Sequence, residues 1–325
     1  MPGDATFDSM LAALRAVGEP TRLRLLCLCA HNDLTVSELV QILGQSQPRI
    51  SRHLKLLCEA GLLERRSEGN WAYFRVTDRG AVADLSRHLV DLLGPSDTVL
   101  QGDLERLDGL IRARIERADA YFAANAARWH DIRSLHVDDA QIERCLIDAM
   151  TGETVDDLLD IGTGTGRMVE LLAPHVGRAI GIDQSRAMLQ VARATLERHG
   201  IKNGSVQRAN MYSLPMAPRS FDGVVMHQVL HYAERPAEAI AEAGRVLRDG
   251  APLAIVDFAR HERTDLRDNH AHRWLGFDPS DVAAWAAHAG LAVDDTVDLP
   301  GGELTVLIWI LRRPPADTRP NRSAR

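Results

Sequence analysis

Residues 158–172 read LLDIGTGTGRMVELL. An apolar run closes on Asp160, and glycines follow at alternate positions, Gly162, Gly164 and Gly166. The run predicts a buried strand and RMVELLA a helix, which makes the glycines a strand-to-helix turn. Lacking a Cβ, they let backbone N–H groups approach a ligand closely. A phosphate-gripping P-loop needs Gly-Lys-Ser/Thr, and this stretch has none. A dinucleotide fingerprint puts two residues between its last two glycines; here there is one. An acid just before the loop suits a cationic amino-acid ligand better than a pyrophosphate.

Working outward, GRAIGID (177–183) predicts the next strand, ending in Asp183. An acid at that place can accept both hydroxyls of a ribose, as in other nucleotide-binding βαβ units. QSRAMLQVARATLERHG follows as a helix capped by Ser185, then GSVQRANMYSLP, SFDGVVMHQVLHY, PAEAIAEAGRVLRDGAPLAIVDF, and a final pair, GLAVDDTVDLP and ELTVLIWILRR. GFDPSDVAAWAAHAG reads as a helix capped by Asp278 with Pro279 at its first position. Alternating strands and helices over about 151–312 predict a doubly wound, Rossmann-like α/β sheet with helices on both faces.

This set resembles the class I S-adenosylmethionine-dependent methyltransferases, especially the UbiE-like small-molecule type. The resemblance implies S-adenosylmethionine (SAM) or S-adenosylhomocysteine (SAH) as cofactor. Gly162, Gly164 and Gly166 would cradle its methionine part, and Asp160 would order the loop and the ammonium end. Asp183 would hold the ribose, Asn210 with Met211 would flank adenine, and His227 would face the donor. Many relatives carry Asp where Asn210 stands, although an amide oxygen can still accept from the adenine amino group.

The acceptor stays open. The Asn/Asp-Pro-Pro-Tyr signature of DNA amino-methyltransferases is replaced by MHQVLHY, with no cysteine there for cytosine-C5 chemistry. Arsenic methylation needs several cysteines, and beyond the first domain there is only Cys145. A general base could come from His227, His231, Tyr232 or HAHRWLGF (270–277), since histidine titrates in the useful range. Each is more often structural than catalytic, and the catalytic group is unassigned. His270 and His272 alternate in direction and make a poor metal pair.

A second module precedes this one. TRLRLLCLCA (21–30) is a short apolar helix, and TVSELVQILG (35–44) opens with a Thr35/Glu38 capping box and stops at Gly44. In QSQPRISRHLKLLCEAGLL, Ser46 is the N-cap and Pro48 sits in the first turn, where a missing N–H costs nothing. Ile50, Leu54 and Leu57 share an inward face, opposite Gln47, Arg49, Ser51, Arg52 and Lys55. LLERRS and WAYFRV, joined around Glu68-Gly69-Asn70, predict a hairpin wing. Helix, turn, capped helix and wing over residues 1–95 make a winged helix-turn-helix. Gln47 and Arg49 suit base edges, while Arg52, Lys55, Arg65, Arg66 and Arg75 suit phosphates. Residues 46–75 hold six basic against three acidic residues. That modest positive patch fits a double-stranded DNA operator.

GEPTRLRLL, TVSELVQILGQSQPRISRHLKLLCEAGLL and RRSEGNWAYFRV resemble the ArsR/SmtB family of bacterial repressors. The resemblance implies a homodimer built from the first and last helices of the domain, on a short inverted repeat. One recognition helix also reads too few bases to be selective alone. No metal site is expected: the segment where such sensors carry a thiolate pair, SELVQ, has no cysteine, and DLSRHLVD (84–91) offers only a thin Asp/His set. Cys27 and Cys29 point about 200° apart on a helix and read as core.

Between the modules, residues 96–150 space apolar positions by threes and fours, predicting an amphipathic helical arm weakened at Gly102 and Gly109. Tyr121, Phe122 and Trp129 are candidates to cover the second domain's ligand. The chain has 325 residues, 45% hydrophobic and 26% charged with net charge −7, an ordinary globular composition. That length predicts two domains, as single cores stop growing near ~250 residues. No signal peptide or membrane span is visible, so the cytoplasm is expected. PPADTRPNRSAR, at the end, reads as a disordered tail over 313–325.

Three functions remain open. A repressor could use a methyltransferase-like domain as a SAM/SAH sensor. An active small-molecule methyltransferase could control its own gene. A metal-responsive repressor could carry an inert fused domain.

Overall fold

Thr35 fixes the start of the reading module. Its hydroxyl accepts from the Glu38 N–H while the Glu38 carboxylate accepts from the Thr35 N–H, closing the expected capping box. The helix it opens ends at Gly44, held at φ 64° in the left-handed region that favours glycine. The computed structural model describes residues 6–68, 71–77, 80–93, 97–126, 139–151 and 155–314. The wing turn at 69–70, the Arg66 side chain, Trp129 and the tail from 315 lie outside the described residues. The chain divides into two compact units, Met1–Arg117 and Ala118–Arg325.

The first unit runs α1 (Phe7–Val17), α2 (Pro20–His31), β1 (Leu34–Thr35), α3 (Val36–Leu43), α4 (Gln47–Glu59), β2 (Leu63–Glu68), β3 (Trp71–Val76) and α5 (Ala81–Leu92). α6 (Thr98–Asn125) follows. The wing has a third strand that periodicity does not reveal: two residues of β1 pair antiparallel with Phe74 and Tyr73 of β3. Ile50, Leu54 and Leu57 are fully buried with Leu25, Leu39 and Phe74 in one core. Cys29 belongs to that core, and burial pushes the Cys27 thiol up to about 11, away from the thiolate that binds metals.

The first part of α6 is not a free connector. Leu107 is buried in the first unit's core, with Leu104, Leu110 and Ile111 against it. Asp103, 0% exposed, accepts from Arg24 Nε at 2.6 Å and Nη2 at 2.7 Å. The unit boundary falls at 117/118, inside a helix that sequence assigns wholly to a linker.

The second unit contains α7 (Asp139–Thr151), β4 (Asp157–Ile161), α8 (Arg167–Leu172), β5 (Arg178–Asp183), α9 (Arg186–Arg198), β6 (Gly204–Arg208) and β7 (Gly223–His227). Then come α10 (Pro236–Val246), β8 (Pro252–Phe258), α11 (Asp265–His270), α12 (Pro279–His288), β9 (Ala292–Pro300) and β10 (Thr305–Arg312). Its sheet is ordered β6-β5-β4-β7-β8-β10-β9, parallel except for β10, which pairs antiparallel with both β8 and β9. Leu159, Val224, Met226, Leu253 and Ile255 enter one core cluster. Their neighbours Leu158, Val225, Ala254 and Val256 enter another. This alternation buries both faces of the sheet, the expected doubly wound α/β fold.

Candidate functional site

The strand order reverses between β4 and β7, and open α/β sheets bind ligands at such a switch point, beyond the carboxyl ends of the strands. The glycine turn follows β4 there. Gly162, Gly164 and Gly166 all have positive φ, at 76°, 52° and 84°. A Cβ on Gly162 would lie 2.2 Å from Cγ2 of Val229, in the segment after β7. Glycine is therefore required at this position for steric reasons as well as for φ. Gln228 beside it has φ 49°, a left-handed conformation costly for a side-chain-bearing residue, and its N–H donates to Val256 O at 2.7 Å. Strain of this kind concentrates at functional sites.

Two acids flank the turn. Asp160 is 1% exposed at the end of β4. Asp183, closing β5, accepts from Gly164 N–H at 3.0 Å and from Ser185 N–H at 2.8 Å. It thus fixes the glycine turn and the next helix start through separate oxygens. Asn210 is exposed after β6, and its amide oxygen accepts from Tyr212 N–H at 3.0 Å; Met211 is half-buried beside it. His227 is buried at the end of β7. The structure thus places Asp160, Asp183 and His227 at the carboxyl ends of β4, β5 and β7, and the glycines, Asn210 and Met211 in the segments that follow β4 and β6.

Sequence reasoning missed two neighbours of this region. Arg167, directly after Gly166, donates to both oxygens of Glu143 on α7 at 2.7 and 2.6 Å, tying that helix to the glycine turn. Asp257, in β8, accepts from His231 Nδ1 at 2.7 Å. Both groups are buried, at 0% and 2% exposed. The signal for Asp257 was present: a lone acid in the apolar strand PLAIVDF, the same pattern that marks Asp160. Tyr121 and Phe122 pack here too. The Tyr121 hydroxyl hydrogen-bonds His270 Nδ1 at 2.8 Å, and the Phe122 ring meets Tyr232 edge-on at 4.9 Å. Among the described residues, no three His, Cys, Asp or Glu side chains gather so as to hold a metal ion.

In the first unit, α4 presents Gln47, Arg49, Ser51, Arg52 and Lys55 as exposed side chains opposite its buried face. Ser46 occupies the N-cap without a side-chain capping bond; its carbonyl accepts from Arg49 and Ile50 N–H at 3.1 Å. Arg65 is exposed on the wing. Arg75 sits opposite Glu64 in the hairpin and is ion-paired with it, so its charge is partly spent inside the wing.

Comparison with known proteins agrees with both halves. The description "Bacterial regulatory protein, arsR family" matches residues 19–65, and "Methyltransferase domain" matches residues 159–255. The chain is 31% identical over 179 residues to the ubiquinone biosynthesis O-methyltransferase of Hahella chejuensis, covering 50% of this chain and 71% of that one. It is 32% identical over 127 residues to the uncharacterized methyltransferase YcgJ of Bacillus subtilis, covering 38% of this chain and 49% of the relative. The chain thus spans about half the length of YcgJ. Among solved structures, a chain of the complex between the Haloferax volcanii Trm112 methyltransferase activator and a methyltransferase superposes with a TM-score of 0.51 at 20% identity. That match covers 59% of this chain and 97% of the other, a likeness of fold. The chain belongs to the class I methyltransferase family, with an arsR-family helix-turn-helix domain at its N-terminus.

Proposed function

We propose that this protein is a dimeric, DNA-binding transcriptional repressor whose methyltransferase domain binds SAM or SAH and couples that occupancy to operator affinity. The observation that carries this reading is the presence, in one chain, of an exposed reading helix and a glycine cradle closed to any side chain at Gly162. The cradle fits the ligand. Gly162, Gly164 and Gly166 would take the methionine part, with Asp160 toward the ammonium, Asp183 toward the ribose, and Asn210 with Met211 at the adenine. When bound, SAM supplies an electrophilic methyl group on a sulfonium. Coupling requires the ligand to favour one dimer geometry, since equal affinity for both states shifts nothing. The helix Thr98–Asn125 is the proposed two-state element.

The DNA half has its own test. Arg49→Ala is expected to relax base preference at one position of each half-site, costing about 1–3 kcal/mol on the cognate sequence. Arg52→Ala is expected to weaken all sequences alike and to reduce the salt slope of binding by about 1. Binding isotherms on cognate and scrambled duplexes at several salt concentrations separate the two. If Arg49→Ala weakens cognate and scrambled duplexes equally, the readout assignment fails.

A second reading, methyl transfer to a small molecule by a protein that also regulates transcription, is favoured by the buried His231–Asp257 pair. It gives His231, one of the candidate general bases in the sequence, a buried carboxylate partner. Release of SAH from SAM in the presence of an acceptor tests it.

A further inference from the structure

Asp257 is committed on every side. Its Oδ1 accepts from His231 Nδ1 at 2.7 Å and from Phe258 N–H at 2.8 Å, and its Oδ2 accepts from His231 N–H at 3.1 Å. A carboxylate so placed selects the imidazole tautomer: the proton sits on Nδ1, and the lone pair is left on Nε2. That Nε2 is buried and has no hydrogen-bond partner among the described residues. A buried acceptor left open is costly unless something donates to it.

The surroundings are aromatic. The His231 ring lies 4.0 Å from Tyr232, 4.1 Å from His272 and 5.3 Å from Phe258, centroid to centroid. Phe122 stands edge-on to Tyr232. Burial, aided by the nearby Tyr121 and Asp257, pushes the Tyr232 phenol well above its ordinary value, so it stays protonated. The location is also right for chemistry. His231 lies in the short turn Leu230–Tyr232 just after Val229, which abuts Gly162, and Asp257 is next to last in β8.

From this geometry we infer that His231, oriented by Asp257, is the general base of a methyl-acceptor subsite for a hydroxylated aromatic ring. The inference rests on the turnover reading above. The acceptor oxygen bonds to the methyl carbon while its O–H proton passes to His231 Nε2. The carbon–sulfur bond of the sulfonium donor breaks with its electron pair on sulfur, giving the thioether. The imidazolium so formed is stabilised by the Asp257 carboxylate and returns its proton to water after product leaves. Asp257 acts through the histidine and is a positioning residue.

The test uses 4-nitrocatechol, whose visible spectrum distinguishes phenol from phenolate, at a pH where the free probe is mainly protonated. Wild-type protein is expected to bind the probe and convert it largely to the anion. His231→Gln is expected to reduce the ionised fraction of bound probe about tenfold. Asp257→Asn should reduce it less, with Asp257→Glu restoring part of the loss, a pattern that packing alone does not produce. Circular dichroism checks that each variant folds; if His231→Gln does not, the Asp257 pair and the wild-type spectrum decide. Wild-type protein that leaves the probe unbound or protonated overturns the inference, as does His231→Gln ionising it like wild type. Calorimetric SAH titration of the same samples tests the donor site separately: normal SAH binding without probe ionisation locates the failure at the base.

Discussion

Gly162→Ala is expected to abolish SAH binding in the micromolar range and to destabilise the second unit by about 3 kcal/mol. Two costs add. The residue sits at φ 76°, where a side chain costs roughly 1–2 kcal/mol. Its new Cβ would meet Val229 at 2.2 and 2.6 Å, and overpacking of that kind costs about 1–3 kcal/mol. Val229 cannot retreat cheaply, because it lies between the strained Gln228 and the buried turn at Leu230. Relief must come from the glycine turn itself, whose N–H groups at Gly162, Thr163 and Gly164 are bonded to Ile182 and Asp183, so the cradle proposed for the ligand changes shape. A ~100-fold loss of SAH affinity, about 2.7 kcal/mol, follows from that displacement. Gly290→Ala is the control. Its φ is 71° but a Cβ there meets nothing within 4 Å, so it should carry the conformational cost alone and bind SAH normally. Urea unfolding and calorimetry on both variants measure this. Unchanged SAH affinity in Gly162→Ala would remove the glycine turn from the donor site.

Asp103→Ala should destabilise the first unit by about 3 kcal/mol, because it strips the counter-charge from a guanidinium already drawn out of water. Arg24 is 22% exposed and makes two short bonds to a carboxylate that is 1% exposed. Arg106, on the same helix, joins the pair and also donates to Ile42 O at 2.6 Å. By contrast, Lys55–Glu59 spans 3.7 Å between side chains 75% and 58% exposed, and its loss should cost under ~1 kcal/mol. The double variant Arg24→Met with Asp103→Leu should recover much of the loss, since an apolar pair carries no stranded charge. Urea unfolding of the two variants decides the matter. Asp103→Ala as stable as wild type would mean that α6 is held by Leu107 and its neighbours alone.

These two residues mark where sequence reading succeeds and where it stops. Gly162 was legible because strand, acid and alternating glycines are consecutive, and local pattern is what a sequence displays. The Thr35/Glu38 box, the inward face Ile50-Leu54-Leu57 and the strand–helix alternation were legible for the same reason. Asp103 was not. It lies within an amphipathic stretch whose charges look solvated, and its partner Arg24 stands 79 positions away. The same distance effect hid Glu143 from Arg167 and Asp257 from His231, 24 and 26 positions apart. Asp257 is the instructive case. An acid near the end of an apolar strand had singled out Asp160 and Asp183, and the rule applied equally to PLAIVDF; no glycine turn followed it to draw attention. Arg75 shows the opposite error of scale, because its positive charge fits a DNA face until the hairpin register sets Glu64 opposite it.

The most direct test of the regulator reading is fluorescence anisotropy of the full chain on its own promoter fragment, titrated separately with SAM and SAH. A change in operator affinity of ~10-fold or more with one of them, about 1.4 kcal/mol of coupling, is the expected result. If calorimetry shows both ligands bound while DNA affinity stays the same, the methyltransferase domain is not the sensor.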